Sequence, residues 1–90
     1  MSADRAARLR RLQFRAWHRG TKEADLMIGG FVDKHLDGLD DAAIAWVERL
    51  LEENDVDIMA WVIGTAPCPD AYRGPLFDAM QRLDYLTIAR

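Results

Sequence analysis

The fold class of this chain follows from residues 21–36, which read TKEADLMIGGFVDKHL. Apolar side chains recur here at intervals of three and four residues, the repeat of one helix face: Met27, Ile28, Phe31, Val32 and Leu36. We therefore expect a helix from about Thr21 to Leu36. Gly29 and Gly30 lie in its middle, and each costs about 1 kcal/mol relative to alanine. Such a pair predicts close helix packing, a kink or a contact surface.

The same helical spacing recurs through the rest of the 90 residues, and no segment alternates cleanly between apolar and polar positions. We expect the other four helices at these places: the first to about Trp17, capped by Ser2 or Asp4; the third capped by Asp40 or Asp41; a short fourth capped by Asp55; and the fifth beginning at Asp70 or Pro75 and extending towards Leu86. Residues 58–63 are apolar on nearly every side, so the fourth helix is expected to be central. The predicted fold class is all-α: a small five-helix bundle that forms a single domain over residues 1–90.

The charges of the chain are unevenly distributed. Residues 1–22 hold seven basic side chains and one acid, a net charge of +6, whereas residues 23–90 carry −9. This asymmetry predicts either a basic surface that steers an acidic partner or a solvated helix face that is balanced by acids elsewhere in the fold. From the charges alone, the second interpretation is favoured.

Several classes of protein are disfavoured by the composition. Cys68 is the single cysteine, so an internal disulfide is excluded and a reducing compartment fits. No apolar run approaches the roughly 18 residues that a membrane span needs. The arginine-rich start has no signal-peptide core, and the helical pattern begins almost at once. We expect a cytoplasmic protein without a removable leader.

The residues that usually carry chemistry are scattered. His18, His35 and Cys68 show no paired spacing of the kind that metal ligands have. No nucleophile motif or phosphate-binding glycine loop is present in the sequence. We therefore expect no catalytic residue, no metal site and no stably bound cofactor, and we predict that the protein is not an enzyme. Cys68 is interpreted as a packing residue and His35 as a residue at a helix rim.

The three tryptophans are interpreted differently. Trp46 and Trp61 lie on apolar helix faces and are predicted to be core residues. Trp17 lies among arginines, and a half-exposed tryptophan there would suit an interface anchor.

Residues 15–25, RAWHRGTKEAD, are the richest segment, and two interpretations of them remain open. In the first, Gly20 occupies a helix cap and Glu23 reaches back to a free backbone N–H. In the second, the missing side chain of Gly20 lets a partner's backbone approach closely, Arg19 offers a fork of donors, and Glu23 accepts. The residues alone favour the cap.

At these residues the sequence resembles the FAD assembly factors of succinate dehydrogenase, which in mitochondria are called succinate dehydrogenase assembly factor 2. The family's Arg-Gly-x-x-Glu motif is matched by Arg19, Gly20 and Glu23. An acid follows at Asp25, and residues 55–61, DVDIMAW, match an element further along. Thr21 and Ala24 depart from the methionine and leucine that are frequent in the family.

The resemblance implies a five-helix bundle that binds the flavoprotein subunit of succinate dehydrogenase, or of the related fumarate reductase, and promotes covalent attachment of FAD to a histidine of that subunit. The bond would form within the flavoprotein, and the factor would act as a monomer. The resemblance thereby reverses the preference for the cap. The residues expected to bind the partner are Arg15, Trp17, Arg19, Gly20, Glu23 and Asp25.

Other functions predict different properties. A small helical enzyme would need long helices and several basic side chains in one pocket, whereas the basic residues here cluster at one end. A nucleic-acid-binding adaptor could use the arginine-rich first helix, but binding domains of that kind are usually basic overall. A protein–protein adaptor unrelated to flavin attachment is the remaining alternative.

Overall fold

A computed structural model describes residues 2–85, which fold into five α-helices joined by short connections. The helices are α1 (Ser2–Trp17), α2 (Lys22–His35), α3 (Asp41–Leu50), α4 (Asp55–Ile63) and α5 (Pro75–Arg82). Two 3-10 turns, Leu36–Gly38 and Asp70–Tyr72, lie before α3 and α5. These described residues include no strand, and the predicted all-α five-helix fold is confirmed.

Side-chain caps explain where α3 and α4 begin. Asp40 caps α3 by accepting a hydrogen bond from the backbone N–H of Ala43 at 2.8 Å. Of the two predicted caps, Asp40 and Asp41, the first is therefore confirmed. The predicted Asp55 cap of α4 was wrong. Asn54 is the cap and accepts from the N–H of Val56 at 3.2 Å, so Asp55 becomes the first helical residue. Its carboxylate is thereby available for another contact.

The boundaries of α1 and α5 also differ from some expectations. Because α1 begins at Ser2, Asp4 lies in its first turn and is not its cap. The fifth helix begins at Pro75 and not at Asp70, since proline suits a first helical position, where its missing N–H has no intrahelical partner. The expected extension to Leu86 lies outside the described residues.

The central element of the core is α2, and the prediction that α4 is central was wrong. Six residues of α2 are buried, including Ile28, Phe31 and Val32, at 1% exposure or less. In α4 the buried side chains are Ile58 and Val62, which lie four residues apart on one face. The opposite face of α4 leaves Val56 and Ile63 exposed. An apolar composition on all sides therefore did not indicate burial on all sides.

The glycine pair of α2 is explained by close packing. A Cβ atom at Gly29 would lie 2.8 Å from Cγ of Trp17 and closer still to two other atoms of that ring. A Cβ atom at Gly30 would lie 3.3 Å from Cδ1 of Tyr85. The two positions thus let aromatic rings lie against the backbone of α2, and the ring of Trp17 brings α1 against that helix.

The other two tryptophans do not share one environment. Trp46 is buried in the core as predicted, at 8% exposure. Trp61 is partly buried at the edge of the core, where its ring stacks on that of Tyr72 with 5.8 Å between centroids. The prediction that Trp61 is a core residue was therefore too strong.

Candidate functional site

The connection between α1 and α2 carries the Arg-Gly-x-x-Glu motif. Gly20 is exposed, its φ angle is +112°, and no atom beyond its two chain neighbours lies within 4 Å of a Cβ placed there. Thr21 caps α2, because its Oγ1 accepts a hydrogen bond from the backbone N–H of Ala24 at 3.1 Å. The interpretation in which Gly20 caps the helix and Glu23 reaches back was therefore wrong. Glu23 is the second residue of α2, and a capping box would need an acid at position 24.

Arg19 is turned into the protein. Only 11% of its side-chain surface is exposed, and Nε donates to Oδ1 of Asp55 at 2.7 Å. The terminal nitrogens donate to the backbone carbonyls of Leu51 at 3.0 Å and Glu53 at 3.2 Å. The last backbone carbonyls of a helix have no intrahelical hydrogen-bond donor. The Arg19 guanidinium therefore donates to two carbonyls that follow α3 and to the first residue of α4 at the same time. The expected fork of free donors is not presented at the surface.

Asp25 holds the same connection from the other side. Its Oδ1 accepts a hydrogen bond from the backbone N–H of Arg19 at 2.6 Å. Because Asp25 lies in the first turn of α2, this bond joins the end of the loop to its beginning. Arg19 and Asp25 thus fix the backbone on which Gly20 is displayed.

The arginines on one face of α1 are paired with acids of α3 and of the turn that follows it. The ion pairs are Arg5 with Asp41 at 3.1 Å, Arg8 with Glu48 at 2.7 Å and Arg15 with Glu52 at 2.6 Å. The second bond of Arg8, from Nε to Glu48, is 2.8 Å long and makes the pair bidentate. This hydrogen bonding lowers the pKa of Glu48 and raises that of Arg8. For these arginines, the positive charge of the N-terminal segment is neutralised by acids elsewhere in the fold.

Trp17 is half-buried and is hydrogen-bonded to α2. Its indole Nε1 donates to Oδ2 of Asp33 at 3.1 Å, and its ring covers Gly29. The ring is therefore held in one position before any partner arrives. Its use as an interface anchor stays a prediction.

The six predicted partner-binding residues therefore divide into two groups. Four of them have the intramolecular partners described above: Arg15, Trp17, Arg19 and Asp25. Gly20 and Glu23 face solvent, and within residues 2–85 the Glu23 carboxylate has no hydrogen bond or ion pair. The sequence did not indicate Asp55 as the partner of Arg19, because the two residues are 36 positions apart and only the fold brings them together.

A surface groove lies away from this loop. It has a volume of about 670 Å³ and is lined by residues of α4, α5 and the connection between them, among them Trp61, Cys68 and Phe77. Burial raises the pKa of the Cys68 thiol, so this cysteine is not activated as a nucleophile. None of the motif residues lines the groove.

Two further features concern metals and membranes. His35 lies at a helix rim as predicted, and partial burial lowers its pKa. The described part of the chain contains no group of three or more side chains placed to hold a metal ion. Among residues 2–85, no helix combines the length and the hydropathy that a membrane span requires.

The fold and the motif loop define a small helical bundle that displays an exposed glycine and glutamate on an internally braced turn. Residues 10–84 match the family model Sdh5, which is described as "Flavinator of succinate dehydrogenase". The chain therefore belongs to this family, and the resemblance inferred from the sequence is confirmed.

Individual relatives agree with this assignment. The chain is 41% identical over 75 residues to "FAD assembly factor SdhE" of Acetobacter pasteurianus, covering 83% of this chain and 69% of that protein. It is 38% identical over 68 residues to "Succinate dehydrogenase assembly factor 2, mitochondrial" of Mycosarcoma maydis, covering 76% of this chain and 29% of that protein. The protein of the same name from Meyerozyma guilliermondii is 36% identical, covering 70% of this chain and 49% of that protein.

Proposed function

We propose that the protein is an assembly factor that binds the flavoprotein subunit of succinate dehydrogenase and promotes covalent attachment of FAD to it. Family membership over residues 10–84 supports this function, as do the names of the relatives. The observation that carries the proposed site is the display of Gly20 and Glu23 on a turn that Arg19 and Asp25 brace from within.

The two groups of residues have different tasks in this proposal. Gly20 has no side chain and no neighbour within 4 Å of a Cβ position, so a partner's backbone can lie against it. Glu23 offers a carboxylate to donors of the partner, and its rim-exposed charge gives specificity. Arg19 and Asp25 act as positioning residues, because they hold the loop in the conformation that the partner meets.

The flavin chemistry is assigned to the client. The bond to FAD forms between groups of the flavoprotein, and the assembly factor holds the partly folded subunit so that its acceptor histidine and the flavin meet in a reactive geometry. The factor itself acts without catalysis and without a stably bound cofactor. The flavoprotein of the related fumarate reductase is the alternative client, and we propose that the factor acts as a monomer in the bacterial cytoplasm.

The experiment that tests this function measures covalent flavin on the client. Cells that lack the factor are complemented with wild type, Gly20→Arg or Glu23→Ala, and the flavoprotein subunit is examined by in-gel flavin fluorescence. Both variants are expected to lower the fluorescence, because one blocks close approach and the other removes an acceptor.

Matched controls come from the same chain. Gly64→Arg places the same side chain at another exposed glycine that has a positive φ angle, +98°, and open space around it, and Asp78→Ala removes an exposed carboxylate from α5. Both controls are expected to behave as wild type. Normal flavin fluorescence with Gly20→Arg and Glu23→Ala would overturn the assigned site, and normal fluorescence without any factor would overturn the function.

A further inference from the structure

A second exposed surface runs along α1 on the side that does not face α3. We call it the α1 strip, and it consists of Arg10, Arg11, Phe14 and His18. Phe14 is 63% exposed, which makes it the one aromatic residue among the large exposed apolar side chains of the described chain. Aromatic and arginine side chains are the types that are enriched at protein interfaces.

The strip is a continuous face with an ordered ring at its centre. Phe14 and His18 lie one helical turn apart, and their rings stack with 4.0 Å between centroids and 22° between planes. His18 is held in turn by a hydrogen bond of 2.7 Å between its Nδ1 and the carbonyl oxygen of Phe14. The aromatic pair is thus fixed before binding, which lowers the entropy lost when a partner covers it.

The positive charge of the α1 strip comes from arginines outside the ion pairs that link α1 to the rest of the fold. Arg5, Arg8, Arg15 and Arg19 are bound to acids of α3, of α4 and of the turn between them. Arg10 and Arg11 are exposed, and within residues 2–85 neither forms an ion pair. The chain has an overall charge of −3, so these two arginines form a local positive field on an acidic protein.

The strip leads directly to the motif loop. His18 precedes Arg19 and Gly20 in the sequence, and the eight residue steps from position 10 to position 18 correspond to about 12 Å at the rise of an α-helix. A partner seated on Gly20 can therefore extend onto Phe14 and the two arginines without a gap.

We propose that the α1 strip is a second contact surface of the same complex and binds an acidic surface of the flavoprotein that has an apolar recess for Phe14. This inference rests on the proposed function. Arg10 and Arg11 steer the encounter and contribute mainly to the association rate, whereas burial of Phe14 slows dissociation. The positive charge and the aromatic ring together favour an anionic protein surface over an uncharged apolar one.

The test uses the purified full chain and the purified flavoprotein subunit, with association and dissociation rates measured at low and high ionic strength. The double variant Arg10→Glu/Arg11→Glu is expected to lower the association rate about tenfold at low salt, with a smaller effect at high salt. Phe14→Ala is expected to raise the dissociation rate about tenfold.

The controls are Arg49→Glu/Arg82→Glu, with the same change in charge on other helices, and Ile63→Ala, which truncates another exposed apolar residue. Both controls should stay within about twofold of wild type.

The outcomes separate this inference from the proposed function. If the strip variants bind as wild type while Gly20→Arg and Glu23→Ala lose binding, the strip is not a contact surface and the proposed function stands. If wild type does not bind the flavoprotein, both fail. Binding to anionic phospholipid vesicles that needs Arg10, Arg11 and Phe14, with flavoprotein binding unchanged in the variants, would assign the strip to a membrane surface and overturn the inference.

Discussion

The residues of the Arg-Gly-x-x-Glu motif differ in their contacts with the rest of the protein. Arg19 is 11% exposed and bonded to two backbone carbonyls and a carboxylate, whereas Gly20 and Glu23 are exposed, and the Glu23 carboxylate has no hydrogen bond or ion pair within residues 2–85. Three residues within five positions thus combine one that stabilises the fold and two that form a surface. Loss of flavin attachment would look the same for all three, but its cause would differ, and measurements of stability distinguish the causes.

Arg19→Ala is expected to have the largest effect on stability. It removes three hydrogen bonds and leaves the partly buried carboxylate of Asp55 without its cation. We expect the free energy of unfolding to fall by about 2 kcal/mol, which lowers the Tm of a domain this size by roughly 10 °C. Thermal unfolding followed by circular dichroism measures both.

Arg19→Lys provides the matched comparison. Lysine keeps the charge but cannot reproduce the planar fork that reaches Leu51, Glu53 and Asp55 together. Its Tm should lie between those of wild type and the alanine variant. A Tm unchanged in both variants would mean that Arg19 does not stabilise the bundle, and the contrast within the motif would disappear.

Gly29→Ala is expected to have the next largest effect. The new methyl group would overlap the ring of Trp17, and displacing a packed ring costs about 1–3 kcal/mol. The better helix propensity of alanine returns about 1 kcal/mol, so a net loss of about 1 kcal/mol is expected. Since Trp17 must move towards water, its fluorescence emission should shift to longer wavelength.

Gly30→Ala is the control for that variant. Its methyl group would lie 3.3 Å from the ring of Tyr85, which a small shift can accommodate, and the gain in helix propensity offsets the crowding. We expect a Tm near that of wild type. Equal losses at both positions would show that α2 needs glycine for its backbone and not for the ring of Trp17.

The ion pair between Arg8 and Glu48 adds a pH-dependent contribution. The bond to Arg8 lowers the pKa of Glu48 below 4.5, so the stabilisation is fully present above pH 4.5 and is lost as the pH falls through the lowered pKa. Glu48→Gln should reduce the Tm at neutral pH, and its difference from wild type should shrink below pH 4.5. A Tm difference that stays constant through this acid range would contradict the assignment. Glu52→Gln, whose carboxylate is 74% exposed, should change less.

The sequence predicted those structural features that depend on residues close together in the chain. Helical periodicity identified α2 because its apolar residues lie on one face of the helix. The residues of α4 are apolar on most sides, so its composition does not indicate which face is buried. The motif was identified because three residues lie within five positions. The partner of Arg19 could not be predicted, because Asp55 reaches it only after α3 has folded back.

The same distinction applies to the cap and the glycine pair. Gly20 and Thr21 are both acceptable cap residues, and the choice depends on backbone angles that neighbouring contacts set. Close packing was among the explanations predicted for Gly29 and Gly30, but the rings that cover them come from α1 and from the segment after α5. Local chemistry therefore predicted that the residues were special, and tertiary contacts decided in what way.

Glu23→Ala is expected to have the smallest effect on stability and serves as the sharpest test of the contrast with Arg19. Its carboxylate contributes at most the weak attraction of an acid near a helix N-terminus, so the free energy of unfolding should change by less than about 0.5 kcal/mol. Covalent flavin on the client should nevertheless fall, while cellular levels of the variant stay normal. A loss of flavin that is accompanied by a fall in Tm as large as that of Arg19→Ala would make the whole motif structural. A normal Tm with reduced flavin would instead assign Glu23 to recognition, because the fold would then be intact while the complex is not.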